Sequence, residues 1–373
     1  MDRSVRKDPS LQSLRAVAFL GIFLTHVGRS YAWAGLSVSA FFVLSACLLT
    51  QRCAGRELPG ALRGQAAFAW RHIARIYPLH LICMVLYAVL RLIIEATVGL
   101  KSSLVLETLG LMALDTALLQ SWWPHHLVNV SLNGVAWFLS SMLFLYFVFP
   151  PLIRRLRRMG SAARAALMLL IPAAQILTCV PLIQWGTGFY VYNWYSYCFP
   201  LFRLGDFAAG CCLGLFLLDR GEEKARGDRR ITAMGTLLEL ILLGLTVGEM
   251  LLRRRGSASP WIKACFNNTS LYLWLALGWV YAFSVRRGLI TRLLTNPALV
   301  WVGDISGYAY LIHYLLTQYV YHSMALVRYT PQGWERTAVM LAELAATLLL
   351  SAAYRRIADL TSRLRADGRG AAA

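Results

Sequence analysis

The chain has 373 residues, of which 58% are hydrophobic and only 15% charged, with a mean hydropathy of +0.55. A soluble domain of this size needs far more polar surface. Its 37 Lys and Arg against 18 Asp and Glu give a net charge of +19, but these cations fall in short loops between apolar runs. That pattern sets the orientation of a membrane protein, so anionic lipid headgroups are the expected partner and nucleic acid is not.

The apolar runs are continuous, without period-two alternation, which excludes a transmembrane barrel and predicts an all-α polytopic bundle. Arg3, Arg6 and Lys7 precede the first run. No small-residue cleavage site follows, so the run reads as an uncleaved first helix. Ten spans are predicted: 14–30, 35–50, 72–94, 132–153, 164–183, 193–218, 231–252, 268–285, 298–321 and 335–354. An eleventh apolar segment, 104–120, carries Glu107 and Asp115 and precedes Trp122-Trp123. If it crossed, three arginine clusters would move to the outer face, so it is expected to be an external interfacial or re-entrant helix. With ten spans and cytoplasmic termini, most of the 37 cations lie on the cytoplasmic side of a plasma-membrane protein. Arg253-Arg254-Arg255 with Lys263 is the exception, and it falls outside.

Ionisable residues within spans are costly and therefore mark function. In the first span Arg15 and His26 stand 11 positions apart. At about 100° per residue they share one helix face, with a rise of about 16 Å between them. Arg15 is thus expected at the cytoplasmic mouth and His26 deep in the membrane. Histidine can take and return a proton near neutral pH, and arginine suits a phosphate-bearing cofactor. Alternatively, Arg15 snorkels to the headgroups and His26 caps a helix contact. Arg71 and Arg75, i and i+4 on a helix, form either a two-cation phosphate site or an ordinary cytoplasmic anchor. Arg203 and Asp206, three apart in the sixth span, can pair on one face, a structural arrangement more often than a catalytic one. His313 follows Tyr308 and Tyr310 and reads as a packing residue. His125-His126 has no matching ligands nearby, so no metal is expected. Five cysteines (Cys47, Cys83, Cys198, Cys211, Cys212) sit in apolar runs as small hydrophobes, and no disulfide framework is expected. There is no internal repeat of the kind many transporters carry.

At these residues the chain resembles acyltransferase family 3, the polytopic membrane acyltransferases of the O-acetyltransferase type. The opening helix is Leu11-Gln-Ser-Leu-Arg15-Ala…Thr25-His26, with the family's Arg-to-His spacing. Ser39-Ala-Phe-Phe-Val-Leu-Ser45 is similar to its "FFVLSG" run, and Arg71-His-Ile-Ala-Arg75-Ile-Tyr-Pro78 to its "RRxxRxxP". Trp137-Phe-Leu-Ser140, Tyr146 and Pro150 follow its "WSLsvE…FY…P" spacing. Pro200-Leu-Phe-Arg203 with Asp206 and Gly210 resembles "FR…eF..G", and Ser306-Gly-Tyr-Ala-Tyr310-Leu-Ile-His313 resembles "SYslYLwH". The resemblance covers most of the chain and implies a transmembrane domain over 11–356, with a basic cytoplasmic tail over 357–373. It implies transfer of an acyl group, acetyl first, from acyl-CoA to a hydroxyl of a surface or lipid-linked glycan. His26 would be the base, and Arg15, Arg71 and Arg75 would hold the phosphates. Ser45, Trp137, Tyr146, Arg203, Asp206, Tyr310 and His313 would support the site, Ser45 and Tyr310 by steadying an oxyanion. Ala46, His72 and Met142 stand where the family has Gly, Arg and Glu. Loss of that carboxylate leaves one alternative, a weakened member that binds or transports.

Overall fold

A computed structural model describes residues 8–28, 33–97, 102–221, 231–255, 259, 261 and 270–370. Among these the chain is helical throughout. The helices are α1 (Pro9–His26), α2 (Trp33–Arg52), α3 (Leu62–Ile73), α4 (Tyr77–Ala96), α5 (Ser102–Thr116), α6 (His126–Asn129), α7 (Trp137–Arg157), α8 (Ser161–Gln184), α9 (Phe189–Asn193) and α10 (Pro200–Asp219). They continue with α11 (Ala233–Arg255), α12 (Ser270–Val285), α13 (Leu289–Leu294), α14 (Pro297–Leu326) and α15 (Gly333–Gly370). Every predicted span overlaps one or more of these helices. Seven are long and apolar enough to cross a bilayer by length and composition, and α12 is a shorter apolar helix. Leucines such as Leu169, Leu170, Leu237, Leu240 and Leu349 are exposed in number. In a protein of this composition such a belt faces lipid.

α1 is largely buried by its neighbours. Asp8 caps its N-terminus by accepting from the Ser10 amide at 3.0 Å, and Pro9 occupies the first turn, where its missing N–H costs nothing. Its most extensive contact is with α14. There Gly303 brings the two backbones together: a Cβ at that position would lie 1.9 Å from the Gln12 carbonyl oxygen. α2 packs against α10 in the same manner. Gly210 and Gly214 face the carbonyls of Val43 and Cys47, a small-xxx-small contact typical of membrane helices.

The third predicted span begins later than expected. Pro78 starts α4, whereas His72 belongs to the separate amphipathic helix α3. α3 lies along α7, with Phe68 stacked on Phe149 at 5.8 Å. Arg154 donates to the carbonyls of Leu58 and Pro59, and Arg157 to that of Cys53. Part of the arginine cluster at the end of α7 therefore ties down the 53–59 loop.

The eleventh apolar segment is a helix, and it packs against α4. α5 runs antiparallel to α4, with Arg91 paired to Glu107 at 2.7 Å near one end. Near the other end the Tyr77 hydroxyl donates to the Thr116 carbonyl and His80 Nε2 donates to that of Asp115. The chain between α5 and α7 is largely irregular, yet Leu118, Gln120, Ser121, Asn133 and Val135 are buried. Irregular backbone is tolerated at such depth only when protein surrounds it. Here Ser140 on α7 donates to the Leu118 carbonyl, and Asn133 to that of Leu311 on α14.

α15 continues without a break through the expected domain limit at 356 to Gly370. The Arg253-Arg254-Arg255 side chains and Lys263 lie outside the described residues. The seven described cysteines are buried, and no disulfide joins any of them.

Candidate active site

His26 is the last residue of α1, half-buried, and α14 brings His313 against it. His26 Nδ1 and His313 Nε2 are 2.9 Å apart, although the two residues are 287 positions apart in sequence. His313 is fully buried, so it packs as its surroundings in the sequence suggest while also meeting His26. Its other nitrogen, Nδ1, lies 3.1 Å from the Ala309 carbonyl. A carbonyl only accepts, so Nδ1 carries the proton of a neutral ring and Nε2 is a lone pair. His26 must then donate through Nδ1, which leaves His26 Nε2 as an unprotonated base. Phe19 and Phe23 set their rings against His313 at 5.8 and 6.3 Å, and Tyr314 sets its edge against His26 at 5.2 Å. The pair is thus held on three sides by aromatic walls.

Toward the other end of α1, Arg15 lies within electrostatic range of Arg52, Tyr146 and Asp304, and it makes no hydrogen bond among the described residues. Two guanidinium groups against the one carboxylate of Asp304 leave a positive balance that suits a polyanionic ligand. Arg52 was not singled out in the sequence, where it looks like one more loop cation. Its proximity to Arg15 comes from the packing of α2 on α1.

The Arg71–Arg75 pair is arranged differently from the helical i, i+4 expectation. α3 ends at Ile73, so Arg75 lies in the turn beyond, where Asp359 of α15 pairs with it. Arg71 is exposed and unpaired among the described residues. Between them, His72 donates from Nδ1 to the Phe68 carbonyl at 2.8 Å and contacts Tyr146 at 4.9 Å between ring centres. Burial, Arg71 and Arg52 hold its pKa below the ordinary histidine value, and its backbone partner only partly offsets this.

The remaining supporting residues are structural. Arg203 and Asp206 are both fully buried and pair at 2.8 Å across one helical turn. Ser39 and Gln175 complete the carboxylate's partners at 3.1 and 2.9 Å. The guanidinium lies 5.1 Å from Phe42 and Tyr197 and 5.7 Å from Trp137, an aromatic cage for a buried cation. Tyr310 donates its hydroxyl to the Val135 carbonyl at 3.0 Å, so it is not available to an oxyanion. Ser45 is half-buried on α2. Met142 is buried in the main apolar cluster with Leu139 and Leu145, a setting that would penalise a carboxylate at this position. Among the described residues no three His, Cys, Asp or Glu side chains are placed to hold a metal.

The fold is thus a helical bundle with seven candidate membrane spans among the described residues, with a histidine pair at one end of α1 and Arg15 toward the other. The sequence profile described as an acyltransferase domain matches residues 8–356, so the chain belongs to acyltransferase family 3 and is an O-acyltransferase. It is similar to acyltransferase MdmB of Streptomyces mycarofaciens, with 25% identity over 342 residues, covering 85% of this chain and 80% of that protein. No solved structure matches it significantly.

Proposed function

We propose that this enzyme takes an acyl group, acetyl first, from acyl-CoA at the arginine-lined cytoplasmic mouth. It delivers the group to a hydroxyl of a surface or lipid-linked glycan. The observation that carries this reading is the hydrogen-bonded pair in which His313 leaves His26 Nε2 free as a base. Arg15, Arg52 and Arg71 would bind the nucleotide phosphates, and Arg75 would join them when it leaves Asp359. The rise of about 16 Å along one face of α1 suits an extended pantetheine arm running from these arginines to His26.

In the transfer step His26 Nε2 removes the acceptor proton while the acceptor oxygen attacks the thioester carbon. The carbon–sulfur bond then breaks, and the proton passes from His26 to the departing thiolate. No charge accumulates in the buried pair over the cycle. A plasma-membrane location with both termini cytoplasmic follows from the loop charges, which also favour contact with anionic headgroups.

The test is transfer of radiolabelled acetyl from acetyl-CoA into the glycan and lipid-linked saccharide fractions of membranes containing the protein. Wild type is expected to label one of them, and His26→Ala to lose the label while inserting normally. Undiminished labelling by His26→Ala would overturn the role given to this residue.

A further inference from the structure

Beyond the histidine pair, α4 and α14 continue toward their C-terminal ends, and with residues 126–132 they enclose a cavity of about 240 Å³. Tyr87, Arg91, Glu95, His126, Ser131 and His322 are its polar lining. These groups are unevenly committed. Arg91 is already neutralised by Glu107 at 2.7 Å. Glu95 has no hydrogen-bond or ion-pair partner among the described residues. His322 donates from Nδ1 to the Gln318 carbonyl at 2.8 Å, which leaves its Nε2 as a lone pair. Ser131 donates to Asp115 Oδ1 at 3.1 Å, so its oxygen too is left to accept.

The cavity therefore offers mostly acceptors, and its one arginine is neutralised. An anionic ligand gains little here. A ligand with many hydroxyl donors gains most. Tyr87 adds an aromatic face, and its ring lies 6.2 Å from that of Tyr314 and within 12° of parallel. Tyr314 is in turn the ring whose edge meets His26 at 5.2 Å. One aromatic step separates the cavity from the proposed base.

We propose that this cavity is the acceptor subsite and that it takes a neutral, hydroxyl-rich ring, a single sugar unit, lying on Tyr87 and donating to Glu95 and His322. A volume equal to roughly eight waters fits one such ring and not an extended chain. The assignment rests on the acyl-transfer reading above, whose failure must be told apart from its own.

The experiment uses the full chain in nanodiscs, with acetyl-CoA and a panel of p-nitrophenyl glycosides, and follows thiol release. At least one glycoside is expected to stimulate release in wild type. Glu95→Gln and His322→Ala should each raise the KM of that glycoside roughly tenfold, the loss of one good hydrogen bond, with the KM of acetyl-CoA unchanged. An unchanged acetyl-CoA KM also shows that the variants are folded. Glycoside KM values within twofold of wild type in both variants would overturn the subsite. If no glycoside stimulates release while wild-type membranes still incorporate acetyl label, the sugar assignment falls and acyl transfer stands. Loss of both signals in wild type would overturn acyl transfer itself.

Discussion

At the scale of single residues the account turns on which nitrogen of His26 carries a proton. His313 is not in a position to react, because both its nitrogens are occupied, by His26 and by Ala309. It acts by holding His26 in one tautomer, as an orienting group does in a nucleophile–base–orienter array. His313→Ala should lower kcat by about a hundredfold or more, within the range general-base catalysis contributes, and leave the KM of acyl-CoA nearly unchanged. Gln at 313 can still accept through its amide oxygen and should restore part of the loss. His313→Phe preserves the bulk that meets Phe19 and Phe23, so full activity in that variant would reduce His313 to packing. Steady-state kinetics on the three variants decides this. That His26 and Arg15 share one helix was legible in their spacing, because a helix fixes both rise and phase. The partner of His26 was not, since nothing local links two residues 287 positions apart. Arg203 and Asp206 show the converse. Their pairing follows from i, i+3 spacing alone, whereas the surrounding cage of Phe42, Trp137 and Tyr197 comes from three other segments. Asp206→Asn would leave a buried guanidinium without its charge partner, a change that costs about 3–5 kcal/mol. A large drop in the thermal unfolding midpoint in detergent is expected, and wild-type stability would contradict it.

At the scale of elements, the register of α1 against α14 sets the histidine contact. Gly303 is the point of closest approach, and no side chain fits between it and the Gln12 carbonyl. Gly303→Ala must push the two backbones apart, with an overpacking cost of about 1–3 kcal/mol. It should lower both stability and turnover, because the displaced helix carries His313. The hydropathy pattern placed each predicted span over a helical stretch, since an apolar run of about 20 residues has few other uses. It misjudged the boundary between α3 and α4, where a single stretch of mixed character hides the break that Pro78 imposes. That break places Arg75 in a turn and within reach of Asp359 on α15. Asp359 thus competes with donor phosphates for Arg75. Asp359→Asn should lower the KM of acyl-CoA a few-fold and leave stability near wild type, because both partners are well exposed. An unchanged or raised KM would remove Arg75 from the donor site.

At the scale of the whole molecule, charge and polarity are segregated along the bundle. The arginines near the α2–α3 loop and α7 lie toward one end, and the mixed polar cavity lies beyond the histidine pair toward the other. Loop charge predicted the first end. The cavity was not legible, because its lining comes from α4, the chain around α6 and the end of α14, none of which carries a motif. The central claim is that donor and acceptor approach His26 from opposite ends. The most direct test is transfer in proteoliposomes of uniform orientation, with acetyl-CoA supplied to one face and a competent acceptor to the other. The account predicts transfer only when acetyl-CoA is on the face bearing Arg154 and Arg157 and the acceptor is on the opposite face. Equal transfer with both substrates confined to either single face would contradict it.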